Sequence, residues 1–455
     1  MLLLLAALLA CTSVLSATET GDLVLVQLVH RHGDRGPQLV LPADTKFDQH
    51  WPLGDGELTG HGMVQEYYHI GKLVHAQYVE TGFLSERFDA SQYVVRSSNV
   101  HRTLQSAASA LAAVYPLGTA PIDTLAGIRN DTPANLTSLP GRFQPVPVAT
   151  VPKDQDTLLL GANYAKQQCP RTMALFADWR ASDEFAAKAA ESADLLARVS
   201  DAVGTEVDMA NFGRVYDAIF CDKYHEFDSF PISDADYAAL HDLESWYLDW
   251  TVNNDEMMTV WGGELMRTFV DQMQDAIAAG GKQDERFFHY SAHDVTVIPV
   301  GNTLGIYTDA EIPPYASNVI LELFTRPGTA AGSTDVDDYL VIAKYMGEAR
   351  EMRGPCAGDV VCPASKFLSY FGGQFRALGD ETVAQFCGES SSPTPTPAAS
   401  PAGEKEEGVS SKAVLYILGA ATGVLLIAVV LQVCFIMRSR ANAYSSALGY
   451  QAQVN

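Results

Sequence analysis

The densest chemistry in the chain is Arg31-His32-Gly33-Asp34-Arg35-Gly36-Pro37, which sets a guanidinium on either side of an imidazole. Arginine presents a rigid fork that matches phosphate oxygens, and glycine lets the backbone approach a ligand closely. An imidazole between them can attack phosphorus through a neutral ring nitrogen. The pattern Arg-His-Gly-x-Arg-x-Pro fixes five residues, and by residue counting a chance match in a chain of 455 is on the order of 10⁻⁴. Two more clusters carry complementary types: Arg96-Ser97-Ser98-Asn99, and His293-Asp294. Guanidiniums, an imidazole nucleophile and a carboxyl group able to move a proton suffice for phosphoryl transfer.

Elements must bring these clusters together. Each follows a β-rich run and precedes a helical pattern. Residues 22–29 (DLVLVQLV) lead into the first cluster, 93–95 into the second and 287–291 into the third. Behind the second, Leu104, Ala107, Leu111 and Val114 keep helical spacing; behind the third comes the apolar stretch 297–304. Apolar strands feeding helices predict an α/β fold with a mostly parallel sheet, whose ligands bind beyond the carboxyl ends of the strands. Residues 169–250 read differently. Leu196, Val199 and Val203, then Phe212, Val215 and Ile219, then Leu240, Leu243 and Tyr247 each repeat at i, i+3, i+7. That predicts an inserted all-α cap, with Ser233 and Asp236 as a capping box before the last group. Residues 318–324 and 339–345 read as two strands joined by a glycine-containing loop.

The first motif resembles that of the histidine acid phosphatases, a family of the phosphoglycerate mutase clan. The resemblance continues through Trp51-Pro52-Leu53-Gly54, Leu58-Thr59 and Gly62-Met63. It extends to Arg96 with Arg102-Thr103, Ser291-Ala292-His293-Asp294 and Pro313-Pro314-Tyr315-Ala316-Ser317. It covers residues 22–387 and implies a phosphoglycerate mutase-like sheet. Asp34 is closer to the lysosomal and prostatic branch than to the phytases. By resemblance and chemistry together, His32 is the expected nucleophile and Asp294 the expected proton donor. Arg31, Arg35, Arg96 and His293 are expected to hold the phosphoryl oxygens. Arg102 reads as structural, and His30 and His101 as neighbours without a chemical role. The histidines show no HxxxH or HxH ligand spacing with partner acids or cysteines, so no metal and no cofactor is expected. The expected activity is acid hydrolysis of phosphate monoesters through a phosphohistidine. The alternatives are a phytase or phospholipid phosphatase on the same scaffold, or a non-catalytic surface glycoprotein.

The balance of charges excludes another class of partner. Lys and Arg total 30 against 55 Asp and Glu, a net charge of −25, and no basic run occurs. Such a surface repels nucleic acid. With 47% hydrophobic residues the chain can build a core, which excludes disorder over most of its length. The ends set the topology. Residues 1–16 read as a signal peptide with cleavage before Ala17, and 17–387 as the ectodomain. Residues 388–412, rich in Pro, Ser and Thr, read as a stalk. Residues 413–437 carry no charge and make a helix of about 37 Å, enough to cross a hydrocarbon core of about 30 Å. Arg438 and Arg440 follow as a flank, leaving 438–455 as a cytoplasmic tail. The expected protein is therefore a type I membrane protein, lysosomal, endosomal or at the cell surface. Gly419 and Gly423 form a GxxxG pattern that permits a homodimer.

Outside the cytosol, Asn130-Asp131-Thr132 and Asn135-Leu136-Thr137 are glycosylation sequons, and cysteines pair. Five cysteines lie between 17 and 387, so not all can pair within one chain. The resemblance implies Cys169 with Cys387 and Cys356 with Cys362. Where the family has a partner for Cys221, this chain has Asn318. That leaves Cys221 as a free buried thiol or, alternatively, in a bridge between two copies.

Overall fold

The computed structural model describes residues 20–120, 139–161, 169–307, 312–373 and 387. Residues 1–16, both sequons at Asn130 and Asn135, the stalk 388–412, the span 413–437 and the tail 438–455 lie outside the described residues. Among the described residues no helix is long and apolar enough to cross a membrane.

The central sheet contains β1 (Leu23–Arg31), β2 (Tyr93–Ser97), β3 (Phe287–Ala292), β4 (Asn318–Thr325), β5 (Tyr339–Tyr345), β6 (Glu348–Arg350) and β7 (Val361–Pro363). Its order is β2-β3-β1-β4-β5-β6, with β7 also on β5. β1 pairs parallel with β3, and β3 with β2. All pairings of β4, β5, β6 and β7 are antiparallel. The α/β class holds, but the sheet is mixed where a mostly parallel one was expected. The cause is connection: β4, β5 and β6 follow one another without a crossover helix, and such neighbours pair antiparallel.

β1 shows why the sheet is central. Leu25 and Val29 point to one face, Val26 and Leu28 to the other, and all four are buried. Each such side chain stabilises by about 1.5–3 kcal/mol, so the strand does not depend on the polar residues at its end. One face is covered by α1 (Gly60–Gln65, prolonged by wide π turns over Glu66–Lys72 and His75–Val79) and α2 (His101–Val114). Ile70, Val74, Tyr78, Ala107 and Leu111 supply the contacts.

The insertion is helical. It comprises α3 (Pro170–Arg180), α4 (Asp183–Val203), α5 (Phe212–Tyr224) and α6 (Asp234–Asn253). Leu196, Val199, Val203, Phe212, Val215, Ile219, Leu240 and Leu243 bury together as their spacing dictates. Ser182 and Ser233 cap α4 and α6, accepting from Phe185 N (3.2 Å) and Asp236 N (3.0 Å). Trp179 of α3 stacks on Trp250 of α6 at 4.0 Å between ring centroids. The second face of the sheet is covered by α7 (Glu264–Ala278), α8 (Asp294–Leu304) and α9 (Ala364–Gly373), through Phe269, Met273, Val300 and Phe367.

Cys169 is bonded to Cys387 and Cys356 to Cys362, and Cys221 on α5 is free and buried. Burial, then the charge of Asp217, pushes the Cys221 thiol up to about 12, so it holds almost no thiolate with which to exchange. Alkylation of the denatured, unreduced protein followed by peptide mapping is expected to label Cys221 alone among the five cysteines from 169 to 387. Finding Cys221 in a disulfide with any of the other four, or with a second copy, would overturn this.

Candidate active site

Parallel pairing puts the carboxyl ends of three strands at one level. Arg31 stands opposite Ala292, and Ser97 opposite Ser291. His32 N donates to the Ala292 carbonyl at 3.0 Å. The three polar clusters of the sequence therefore meet at one edge of the sheet. His32 and His293 face each other edge-on, with ring centroids 5.5 Å apart.

His32 is almost fully buried. Its Nδ1 lies 2.8 Å from the Gly33 carbonyl, which can only accept, so the proton of the neutral ring sits on Nδ1. The lone pair is left on Nε2. Burial first, then the charges of Arg102, Arg31, Arg35 and His293, hold the ring well below the usual histidine range. The loop that presents it lies tightly on the start of α1. A Cβ on Gly33 would overlap the Gly62 carbonyl, so glycine alone allows this approach. Thr59 caps α1 and donates to Asp34 Oδ2, which also accepts from His225 Nε2 at 2.8 Å.

Each expected phosphate ligand among the arginines is held by a carboxylate. Arg31 Nη2 lies 2.9 Å from Asp294 Oδ2. Its other nitrogen Nη1 donates to the Pro313 carbonyl, and its guanidinium lies 4.4 Å from the Tyr315 ring centroid. Arg35 makes a two-pronged pair with Asp217 of α5, at 2.7 and 3.2 Å. Arg96 donates to Asp156 at 2.6 Å. Burial raises Asp156 against the pull of Arg96. Asp294 is the opposite case: burial pushes it up, but Arg31, His293 and Arg35 together hold it below the usual carboxylate range.

His293 Nε2 lies 2.9 Å from Ser98 Oγ, which is 2.8 Å from Thr103 Oγ1. Thr103 donates to the carbonyls of Val100 and Ser98, so Ser98 donates to Thr103 and accepts from His293 Nε2–H. His293 occupies the cap position of α8. Asp294 is the first helical residue, accepting from Val295 N at 2.7 Å.

Asp156, Asp217, His225, Tyr315 and the Ser98–Thr103 pair carried no assigned role in the sequence reading. Asp217 had a faint signal, an acid beside the apolar stripe of 212, 215 and 219; Asp156 had none. Exposed His101 pairs with Glu57 at 2.8 Å, away from the chemistry. His30 is buried 3.1 Å from Glu66 behind β1. Arg102 is half-buried in the first turn of α2. Among the described residues no cluster of His, Cys, Asp or Glu is placed to hold a metal ion.

Residues 22–341 match the family model described as "Histidine phosphatase superfamily (branch 2)". The chain belongs to this family. It is a phosphatase. Prostatic acid phosphatase of Bos taurus is 31% identical over 358 residues, covering 76% of this chain and 84% of that protein. Lysosomal acid phosphatase of Bos taurus is 30% identical over 331 residues, 72% of each. A Hafnia alvei phytase solved with tartrate shares the fold, with a TM-score of 0.53 at 12% identity, over 78% of this chain and 97% of that one.

Three buried histidines of this phosphatase, His32, His289 and His293, are held well below their ordinary range, in each case by burial first. In the unfolded chain they titrate near 6.5. As pH falls through about 6.5, the unfolded chain binds protons that the native one does not, so stability falls toward acid pH. Urea unfolding is expected to show this loss between pH 7.5 and 5. His289→Gln, which keeps a partner for Tyr93 without titrating, should show a shallower loss than wild type. Equal slopes in the two proteins would remove His289 from this account.

Proposed function

We propose that this protein is a membrane-anchored acid phosphatase that hydrolyses phosphate monoesters through a phosphohistidine on His32. The observation that carries the reading is a neutral, buried imidazole with its Nε2 lone pair free and the charges of Arg31 and Arg35 beside it. Nε2 attacks phosphorus as the bond to the leaving oxygen breaks. The resulting phosphoimidazolium keeps its Nδ1 proton on the Gly33 carbonyl. Arg31, Arg35 and Arg96 neutralise charge on the phosphoryl oxygens, joined by His293 once a second proton on Nδ1 makes it a cation. Asp294 gives its proton to the leaving oxygen, then takes one from the water that attacks phosphorus and releases His32.

The acid optimum follows from Arg31. Its charge holds Asp294 ionised. A phosphate dianion that draws the Arg31 fork toward itself weakens that hold, and the carboxyl, buried as it is, takes up a proton. Substrate binding and acid pH therefore favour the same protonation state.

The full set of Arg31, His32, Arg35, Arg96, His293 and Asp294 supports an enzyme over a non-catalytic glycoprotein. The leader 1–16, the stalk and the span 413–437 support a type I topology, and the kinship with a protein named lysosomal acid phosphatase favours a lysosomal or endosomal membrane over the cell surface. Nothing in the cap favours a phytase or phospholipid phosphatase.

His32→Ala is expected to keep its fold and less than a few per cent of activity on p-nitrophenyl phosphate. An alkaline quench of wild type with labelled substrate should trap base-stable, acid-labile label on His32. Retained turnover in His32→Ala would sink the covalent route. Asp294→Asn should slow alkyl phosphates, whose leaving groups are basic, by about 100-fold or more, and p-nitrophenyl phosphate far less. Equal losses on the two substrates would make Asp294 a positioning residue instead.

A further inference from the structure

We propose that His225, at the end of α5, is a positioning residue: it holds Asp34, and Asp34 fixes the peptide group that orients the His32 ring. This inference rests on the phosphohistidine reading above. The chain of contacts starts at the nucleophile. The Gly33 carbonyl accepts from His32 Nδ1 at 2.8 Å and so decides which ring nitrogen keeps its lone pair. That carbonyl and the Asp34 N–H belong to one planar peptide unit, so neither turns without the other. Asp34 N donates to Gln65 Oε1 at 2.8 Å, and the Asp34 carbonyl accepts from Thr59 N at 2.9 Å. These bonds hold the backbone of Asp34 on the start and end of α1. The side chain is the other handle. It is fully buried, and its Oδ2 accepts from Thr59 Oγ1 and from His225 Nε2. Its Oδ1 is buried without a hydrogen-bond partner among the described residues. A buried carboxylate short of donors depends on each one it has, and His225 is the donor that the cap supplies.

The end of α5 is shaped to present this ring. His225 N donates to the Cys221 carbonyl at 3.2 Å, which closes the helix. Glu226 follows with a φ of 56°, a left-handed conformation that residues other than glycine rarely take. The turn sends Phe227 back: its N donates to the Asp222 carbonyl at 2.9 Å. The Phe227 ring then lies along His225, with centroids 5.4 Å and planes 22° apart. Trp51 packs edge-on against the same imidazole at 4.8 Å between centroids. An uncommon backbone conformation and two aromatic rings thus aim one N–H at Asp34. Tyr224, the preceding residue, reaches the same loop by a second route, its hydroxyl accepting from Gln65 Nε2 at 2.8 Å. The two ties of α5 to the loop after β1 differ in what they hold. Asp217 grips Arg35, an expected phosphate ligand, whereas His225 grips Asp34, which stands behind the imidazole. Loss of the second tie should disturb attack and spare phosphate binding.

Kinetics can separate orientation from binding. His225→Phe keeps the aromatic packing and loses the donor. Its kcat/KM for p-nitrophenyl phosphate should fall about 10- to 100-fold, the cost of a slightly misplaced nucleophile. Its inhibition constant for inorganic phosphate should stay within about 3-fold of wild type, because no guanidinium has been touched. His225→Gln, whose amide nitrogen can stand where Nε2 stood, should recover most of the lost turnover. Asp34→Asn, nearly isosteric, weakens the acceptor and should show the same split to a smaller degree; it carries the test if His225→Phe does not fold. Adding His225→Phe to Asp34→Asn should cost less than His225→Phe costs alone. Wild-type kcat/KM in a folded His225→Phe would overturn the assignment. So would an equal loss of turnover and phosphate affinity, which would place His225 in the phosphate pocket, or a His225→Gln no better than His225→Phe. Wild type and His32→Ala run alongside keep the two ideas separable. If wild type releases no phosphate, or His32→Ala is active, the underlying reading fails; if only the His225 and Asp34 variants behave like wild type, this inference alone fails.

Discussion

Crowding of positive charge governs this structure. Arg31, Arg35 and Arg102 crowd the buried His32, with Arg96 nearby in the sheet on β2, where repulsion is poorly screened. Buried cations without counter-charges would weaken the fold, since breaking a buried pair costs about 3–5 kcal/mol. Asp294, Asp217 and Asp156 meet that need, and each comes from a different part of the chain.

The fold supplies these anions in different ways. Asp294 opens α8 directly after β3, so the register of β1 and β3 sets its distance from Arg31. Asp217 belongs to the cap, and its pair with Arg35 joins the cap to the loop after β1. His225, at the end of α5, makes a second such tie to Asp34. The Cys169–Cys387 bridge fastens the residue before α3 to Cys387, far along the chain. The cap is thus anchored through charges at the site and covalently at its start, so any motion of α5 is felt by Arg35.

What could be read from the residues was whatever is local in sequence. His32 with its arginines, and His293 with Asp294, announced themselves because each lies at the end of an apolar strand and the chemistry needs them adjacent. The cap helices were legible for the same reason: Leu196, Val199 and Val203 repeat at a helical period. The antiparallel half of the sheet was hidden, because alternating burial looks alike in either direction and only the connection decides. Asp156 was hidden because its meaning lies wholly in Arg96, far away in sequence.

Those hidden partners explain a difficulty that the motif alone leaves open. A nucleophilic imidazole must be neutral while a carboxyl group nearby carries a proton, the reverse of their ordinary order of basicity. Burial moves the two groups in the required directions, lowering His32 and raising Asp294. For His32 the arginines push the same way as burial. For Asp294 they oppose it, and Arg31, His293 and Arg35 prevail, leaving the carboxyl ionised. The fold therefore keeps the imidazole neutral by burial and charge together, while for the carboxyl the two work against each other, so acid surroundings move Asp294 toward its proton without costing His32 its lone pair.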